Sequence, residues 1–225
     1  MPPASLDHSR DSSPPVAIAI MAKAPIAGLA KTRLIPHLGA NGAAALQRWL
    51  LHRTLMTALQ ADLGPVILWC APDTSHPEFA IWAGDHRVTL RQQPAGDLGA
   101  RMAEAVAESA GTSGMLVIGT DCPLLTPADL HAAAAALIAH DAVLAPAEDG
   151  GYVLIGLRQA ASQVFSGVDW STDQVMAQTR QRLGEIGWSW LELLPFWDVD
   201  RSTDFERLLP LFPELNDCLK PAVSA

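Results

Sequence analysis

Short, unbroken apolar runs alternate along this chain with longer stretches in which apolar residues recur at helical spacing. Residues 16–22 (VAIAIMA) are apolar throughout, which predicts a central strand buried on both faces, because a half-exposed strand would alternate. A cationic loop follows, and from about Asn41 a long helix is expected, with Leu51, Leu55 and Leu59 on one stripe. Residues 65–70 (PVILWC) read as the next strand, residues 76–82 as a short helix and residues 87–91 as a third, shorter strand. The polar stretch 92–99 reads as a turn and residues 101–109 as a helix. The apolar run from Met115 is a strand that passes straight into Gly119-Thr120-Asp121-Cys122-Pro123-Leu124. Thr126 stands before Pro127, an N-cap followed by a proline at the first helical position, and opens a helix to about Ala139. Residues 141–146 (DAVLAP) and 152–157 (YVLIGL) are separated by too few residues for a crossover helix, so this pair should be antiparallel and the sheet mixed. Thr172 is expected to cap a helix to about Leu183. Residues 188–196 should form a last strand with Asp198-Val199-Asp200 just beyond it, and residues 203–209 a terminal helix.

This order is that of an α/β fold with a mixed, mostly parallel sheet. At 225 residues the chain suits one domain with a sizeable core, placed here over residues 16–219. Residues 1–15 hold four prolines and four serines but no apolar run like that of a signal peptide, and read as a disordered tail. No stretch approaches the roughly 18 apolar residues of a membrane span.

Charge and cysteine content narrow the chemistry. A formal net charge of -9 argues against a nucleic-acid partner, since such binding rests on Lys and Arg neutralising phosphates. Any phosphate bound here must be small and met locally. Three cysteines without C-x-x-C spacing fit neither a disulfide framework nor a zinc knuckle, and a cytoplasmic location is the simplest expectation. The serines lack a G-x-S-x-G context and the histidines lack ligand spacing, so hydrolase and histidine-metal chemistry have little support.

Three features carry candidate chemistry. The loop of residues 23–33 packs three cations, Lys23, Lys31 and Arg33, into eleven residues, and Gly28 would let the backbone approach phosphate oxygens. It is neither a Walker A loop nor a dinucleotide fingerprint. Asp121 stands where a parallel strand ends, and in open α/β sheets ligands bind beyond the carboxyl ends of the strands. Its bland alternative, capping the following helix, is better served by Thr126. Asp198 and Asp200 flank a valine, so in extended backbone both carboxylates would face one side and could meet Asp121 at one Mg²⁺ or Mn²⁺ ion. Asp149, in Glu148-Asp149-Gly150-Gly151-Tyr152, could accept hydrogen bonds from a hydroxylated acceptor, whereas a tight turn alone would explain its two glycines.

Taken together, Lys23-x-Pro25-x-x-Gly28-x-x-Lys31-Thr32-Arg33-Leu34, Gly96-Asp97-Leu98-Gly99-x-Arg101-Met102, Gly119-Thr120-Asp121-Cys122-Pro123-Leu124, Asp149-Gly150-Gly151-Tyr152 and Asp198-Val199-Asp200 resemble a bacterial family of small GT-A-type nucleotide-diphospho-sugar transferases. The family is similar to 2-phospho-L-lactate and molybdenum-cofactor guanylyltransferases. The resemblance implies a three-layer α/β/α fold and a divalent metal cofactor. It implies phosphate contact by Lys23, Gly28, Lys31 and Arg33, and places Gly96, Asp97, Gly99 and Arg101 near the nucleobase and ribose. Asp121 would hold the metal with Asp200, or else Asp198, as second ligand. Gly150, Gly151, Tyr152, Trp170, Ser171 and Thr172 would bind the acceptor, with Asp149 and Asp121 in catalysis.

Two enzymatic readings follow: a glycosyltransferase taking a nucleotide-sugar donor and a small-molecule acceptor, or a nucleotidyltransferase releasing pyrophosphate from an NTP. The glycine-rich opening usual in nucleotidyltransferases is replaced here by Met21-Ala22-Lys23-Ala24-Pro25, which favours the first reading, while the K-x-R-L element keeps the second. A non-catalytic nucleotide-binding protein on the same fold is the third possibility.

Overall fold

The computed structural model describes residues 15–108 and 112–218. The expected tail lies outside them apart from Pro15, as do the end of the helix expected over 101–109 and residue 219. The elements in chain order are β1 (Ala17–Lys23), α1 (Ile35–Ala61), β2 (Val66–Ala71), α2 (Pro77–Ala80), β3 (Val88–Gln92), α3 (Leu98–Ala107), β4 (Met115–Gly119), α4 (Pro127–Ala139), β5 (Ala142–Pro146), β6 (Tyr152–Leu157), α5 (Val175–Glu185), β7 (Trp190–Glu192), α6 (Ser202–Leu208) and α7 (Leu215–Cys218). Among the described residues, seven strands form one sheet in the order β3-β2-β1-β4-β6-β5-β7. β1 runs parallel to β2 and β4, β2 parallel to β3, and β5 parallel to β7, while β6 is antiparallel to both β4 and β5. The sheet is therefore mixed and mostly parallel, as the short 147–151 connection required.

Alternation along the strands divides the core between two helical layers. Ile18, Ile20, Leu68, Leu116 and Ile118 face Leu51, Leu55, Leu130 and Ala133 of α1 and α4. Their neighbours Ala17, Ala19, Ile67, Met115 and Val117 face Met102, Ala105 and Met176 of α3 and α5. Burying one such large side chain contributes about 2 kcal/mol, which explains why runs with no polar position form the central strands. A third cluster joins Leu34, Leu46 and Leu50 to Trp197, Val199, Phe205 and Leu208, and so ties the C-terminal segment beneath the loop after β1. No helix among the described residues is long and apolar enough to cross a membrane.

The clearest departures from the pattern-based expectation are the bounds of α1, α3, α5 and β7, together with α7, which lies beyond the helix expected to be terminal. α1 begins with a turn at Ile35 and is broken at Gly39, whose φ is 70°, before continuing through the expected stretch. α3 starts at Leu98, inside what reads as a turn, because Asp97 is an N-cap whose Oδ1 accepts from the Ala100 amide at 2.8 Å. Thr172 does not cap α5: Ser171 is left-handed at φ 66°, and the Thr172 hydroxyl donates to the Asp169 carbonyl at 2.7 Å in a turn ahead of the helix. The strand expected over 188–196 shortens to β7, because Pro195 has no amide to donate, and only an isolated bridge from Ala147 to Phe196 continues it.

Candidate active site at the carboxyl ends of β1 and β4

Register brings the site together. Met21 pairs with Gly119 at the ends of β1 and β4, so the loops leaving these strands open side by side at the sheet's C-terminal edge. The loop after β1 reaches Lys31, which adopts φ 47° and ψ 46°, and then a short 3-10 turn over Thr32–Leu34 whose Leu34 is fully buried. The C-terminal segment comes from the other side, where the Val199 amide donates to the Asp121 carbonyl at 2.8 Å. Val199 is buried at 0% exposure, and this anchors the acids on either side of it. The expected meeting of Asp121 with the Asp198–Asp200 segment is thus present in the backbone.

The side chains divide differently from the sequence-based assignment. Asp200 turns to Arg33 in an ion pair, and its backbone amide donates to Asp204 Oδ2 at 3.1 Å. Asp198 is the carboxylate that senses the acids of the cleft. Its carboxyl is pushed up to about 6, first by burial and then by the like charges of Asp149 and Asp121, with Lys31 opposing the shift. Extended backbone would give Asp198 and Asp200 one direction; the reach of Arg33 separates them. Lys31 is nearly enclosed, with a side chain 4% exposed, its Nζ 2.8 Å from Asp121 Oδ1 and donating at 2.6 Å to the Val199 carbonyl. Lys23 and Gly28 are exposed, and a Cβ placed on Gly28 or on Gly119 would meet nothing within 4 Å.

Gln47 of α1, which carried no signal of function in the sequence, braces this arrangement. It is 3% exposed and its Nε2 donates to the Lys23 carbonyl at 3.3 Å and to Thr120 Oγ1 at 3.1 Å. The Thr120 hydroxyl donates in turn to Asp121 Oδ1 at 3.3 Å. A polar residue between the core leucines Leu46 and Leu50 was the available clue, since a buried amide needs partners.

The next loop along the sheet edge is braced from within. Gln93 Nε2 donates to the carbonyls of Ala22 and Trp69 at 3.0 and 2.9 Å, and its Oε1 accepts from Arg101 Nη1 at 3.1 Å. Arg101 Nε also donates to the Gly96 carbonyl at 3.1 Å, and Asp97 caps α3. Gly96, Asp97 and Arg101, expected near the base and ribose, thus shape this loop through contacts with each other. Gly99 lies under the indole of Trp170, where an added Cβ would come within 2.5 Å of Nε1.

The residues expected on the acceptor side are only partly at the cleft. Asp149 is exposed, and its Oδ1 accepts from the Gly151 amide at 3.0 Å. Gly150 has φ 90°, its carbonyl accepts from the Met176 amide at 2.9 Å, and an added Cβ would stand 2.3 Å from the Asp173 carbonyl oxygen. Tyr152 packs against the core with its hydroxyl buried beside that of Thr179, and burial pushes the phenol above its ordinary range, with Thr179 opposing the shift. It stands at the start of β6, where its ring joins the cluster packed by α3 and α5. Trp170 is half-buried with an unpaired indole N–H, while Ser171 and Thr172 are exposed.

Asp121 and Asp198 offer hard oxygen donors in a spot where like charge is incompletely compensated, which fits a divalent cation. Among the described residues no three His, Cys, Asp or Glu side chains gather tightly enough to form a cage. A cation here would therefore complete its shell with water and ligand oxygens, as Mg²⁺ and Mn²⁺ commonly do.

The comparisons with known proteins agree with the resemblance read from the motifs. The model of a family described as "Uncharacterized protein conserved in bacteria (DUF2064)" matches residues 54–172. No curated protein matches the chain. Among solved structures, a provisionally described nucleotide-diphospho-sugar transferase from Desulfovibrio desulfuricans G20 is similar at 26% identity and a TM-score of 0.77, covering 91% of this chain and 96% of that one. The 4-diphosphocytidyl-2C-methyl-D-erythritol synthase of Anaerococcus prevotii DSM 20548 has a TM-score of 0.63 at 12% identity, over 88% of this chain and 96% of its own. Rv0371c of Mycobacterium tuberculosis H37Rv, solved in complex with manganese, has a TM-score of 0.54 at 19% identity, over 88% and 100%. The last two likenesses concern the fold alone.

Proposed function

The chain belongs to the bacterial family DUF2064, and from the geometry of its site we propose that it is a metal-assisted transferase that binds a nucleotide-sugar donor by its diphosphate and passes the sugar to a small hydroxylated acceptor. One observation carries this reading. The cationic loop after β1 and the carboxylates Asp121, Asp149 and Asp198, drawn from four separate segments, converge where β1 and β4 end. The 26% identical nucleotide-diphospho-sugar transferase relative supports the donor class.

In this reading the exposed Lys23 and Arg33 meet phosphate oxygens, and the open space above Gly28 and Gly119 admits the diphosphate. Asp121 and Asp198 hold the divalent cation, which supplies neutralisation of the charge that develops on the leaving diphosphate. The Gln47–Thr120 chain fixes Asp121 so that its carboxylate need not reorganise. Asp149 stands at the acceptor side as the group able to take the proton of an attacking hydroxyl. Asp200 serves by positioning Arg33.

A second reading, nucleotidyl transfer with loss of pyrophosphate, is favoured by Lys31-Thr32-Arg33-Leu34, whose two cations would suit a triphosphate. Incubating the protein and Mn²⁺ with panels of NTPs and UDP- or GDP-sugars, each with small hydroxylated acceptors, separates the two. Release of nucleoside diphosphate is the expected product; pyrophosphate would replace the first reading by the second. Nucleotide binding with neither product would remove the catalytic reading.

A further inference from the structure

The family resemblance assigns Lys31 to phosphate and Asp121 to metal, yet here they bind each other. The Lys31 ammonium sits 2.8 Å from Asp121 Oδ1 and donates to the Val199 carbonyl at 2.6 Å, enclosed at 4% exposure while the Asp121 side chain is 48% exposed. The contact is built into the backbone. Lys31 holds a left-handed conformation (φ 47°) that a residue with a Cβ rarely adopts, and the hydrogen bond from the Val199 amide to the Asp121 carbonyl fixes both ends of the cradle. The remaining hydrogen bond to Oδ1 comes from Thr120, so the ammonium is the only charge compensating Asp121 at close range among the described residues.

We propose that Lys31 is a built-in placeholder for the divalent cation, and that exchange of the Lys31–Asp121 pair for a metal–Asp121 and a Lys31–phosphate contact makes metal and nucleotide bind cooperatively. This rests on the metal-dependent reading of the site. A cation arriving alone must share Asp121 with a buried ammonium whose other partner is a single carbonyl, and like charges in a poorly hydrated place repel strongly. A nucleotide arriving alone must draw Lys31 away and leave Asp121 unpaired beside Asp198 and Asp149. When both arrive, each charge released from the pair finds a new partner. Because such coupling is reciprocal, the nucleotide must tighten metal binding by the same factor as the metal tightens nucleotide binding. Arg33 differs: its ion-pair partner is Asp200, and Asp149 and Asp198 act on it only through longer-range charge, so removing it breaks no direct contact with Asp121 or Asp198.

The test titrates Mn²⁺, followed by the EPR signal of the free ion, into wild type, Lys31→Met and Arg33→Met, first alone and then with UDP- and GDP-sugars. Without nucleotide, Lys31→Met should tighten Mn²⁺ binding on the order of tenfold, and Arg33→Met by much less. In wild type the nucleotide should tighten Mn²⁺ binding by a larger factor than in Lys31→Met, where direct metal–phosphate contact alone is left to couple the two. Equal tightening in both variants, or none in Lys31→Met, would overturn the placeholder. Should Lys31→Met not fold, Lys31→Gln and the wild-type cooperativity decide: independent binding of Mn²⁺ and nucleotide to wild type contradicts the proposal. Absence of Mn²⁺ binding even with nucleotide would remove the metal reading itself, and the placeholder with it.

Discussion

Both sides of the cleft are marked by glycines, and they are there for opposite reasons. On the side where β1 and β4 end, Gly28 and Gly119 face open space, with nothing within 4 Å of an added Cβ. On the side of β6 and α3, Gly150 and Gly99 are covered by the chain itself, Gly150 by the backbone of Asp173 and Gly99 by the indole of Trp170. The first pair is left uncovered by the protein, and in the proposed reading the ligand takes that space. The second lets the segment around Trp170–Asp173 settle onto the turn after β5 and the start of α3, so it fixes one wall of the site without offering space in it. A glycine motif therefore names a place of close approach but does not say whether ligand or protein makes the approach.

The largest effect that would break this contrast is at Gly150. Gly150→Ala places a methyl group 2.3 Å from a backbone carbonyl at φ 90°, and should lower stability by about 3 kcal/mol in urea unfolding. Gly28→Ala meets no atom and pays only for its positive φ of 84°, so its expected loss is about 1 kcal/mol by the same measurement. Equal losses at the two positions would erase the distinction between an open and a closed wall.

A charge change sharpens it from the other direction. Because the folded metal-free protein raises the Asp198 carboxyl to about 6, folding favours its neutral form, and stability falls as the pH rises from the ordinary carboxylate range through that value. Asp198→Asn should therefore raise metal-free stability by about 1 kcal/mol near neutral pH, after allowance for solvent screening of a half-buried group, with the gain disappearing in acid where both forms are neutral. The pH dependence of thermal unfolding checks this, and a gain that grew toward acid would refute it. The smallest stability effect belongs to Arg33→Ala, whose ion pair with Asp200 is exposed. Its melting temperature should match wild type while nucleotide affinity, read by calorimetry, drops on the order of tenfold.

What was legible in the sequence was local. α4 and β6 have the bounds their patterns predict, because Thr126-Pro127 is a self-contained start signal and β6 is a pure apolar run. The meeting of Asp121 with the Asp198–Asp200 segment was legible too, since both follow segments that end at one sheet edge. Choices made by tertiary reach were not. Period-two geometry cannot distinguish Asp198 from Asp200; Arg33 does. Composition marks Lys31 as a cation but says nothing of the Val199 carbonyl that encloses it. Tyr152 stands next to a glycine turn, yet its ring is drawn into the core. Trp170 and Gly99 are far apart in sequence, and no local pattern shows that one covers the other.

The central claim, that Asp121 and Asp198 hold a divalent cation against nucleotide phosphates, is tested most directly by anomalous diffraction from crystals grown with Mn²⁺ and a UDP- or GDP-sugar. A single manganese peak in contact with carboxylate oxygens of Asp121 and Asp198, with Asp200 still on Arg33 and phosphate oxygens completing the shell, is the result expected. Bound nucleotide with no manganese at these carboxylates, or with manganese held by Asp200 in place of Asp198, would contradict it.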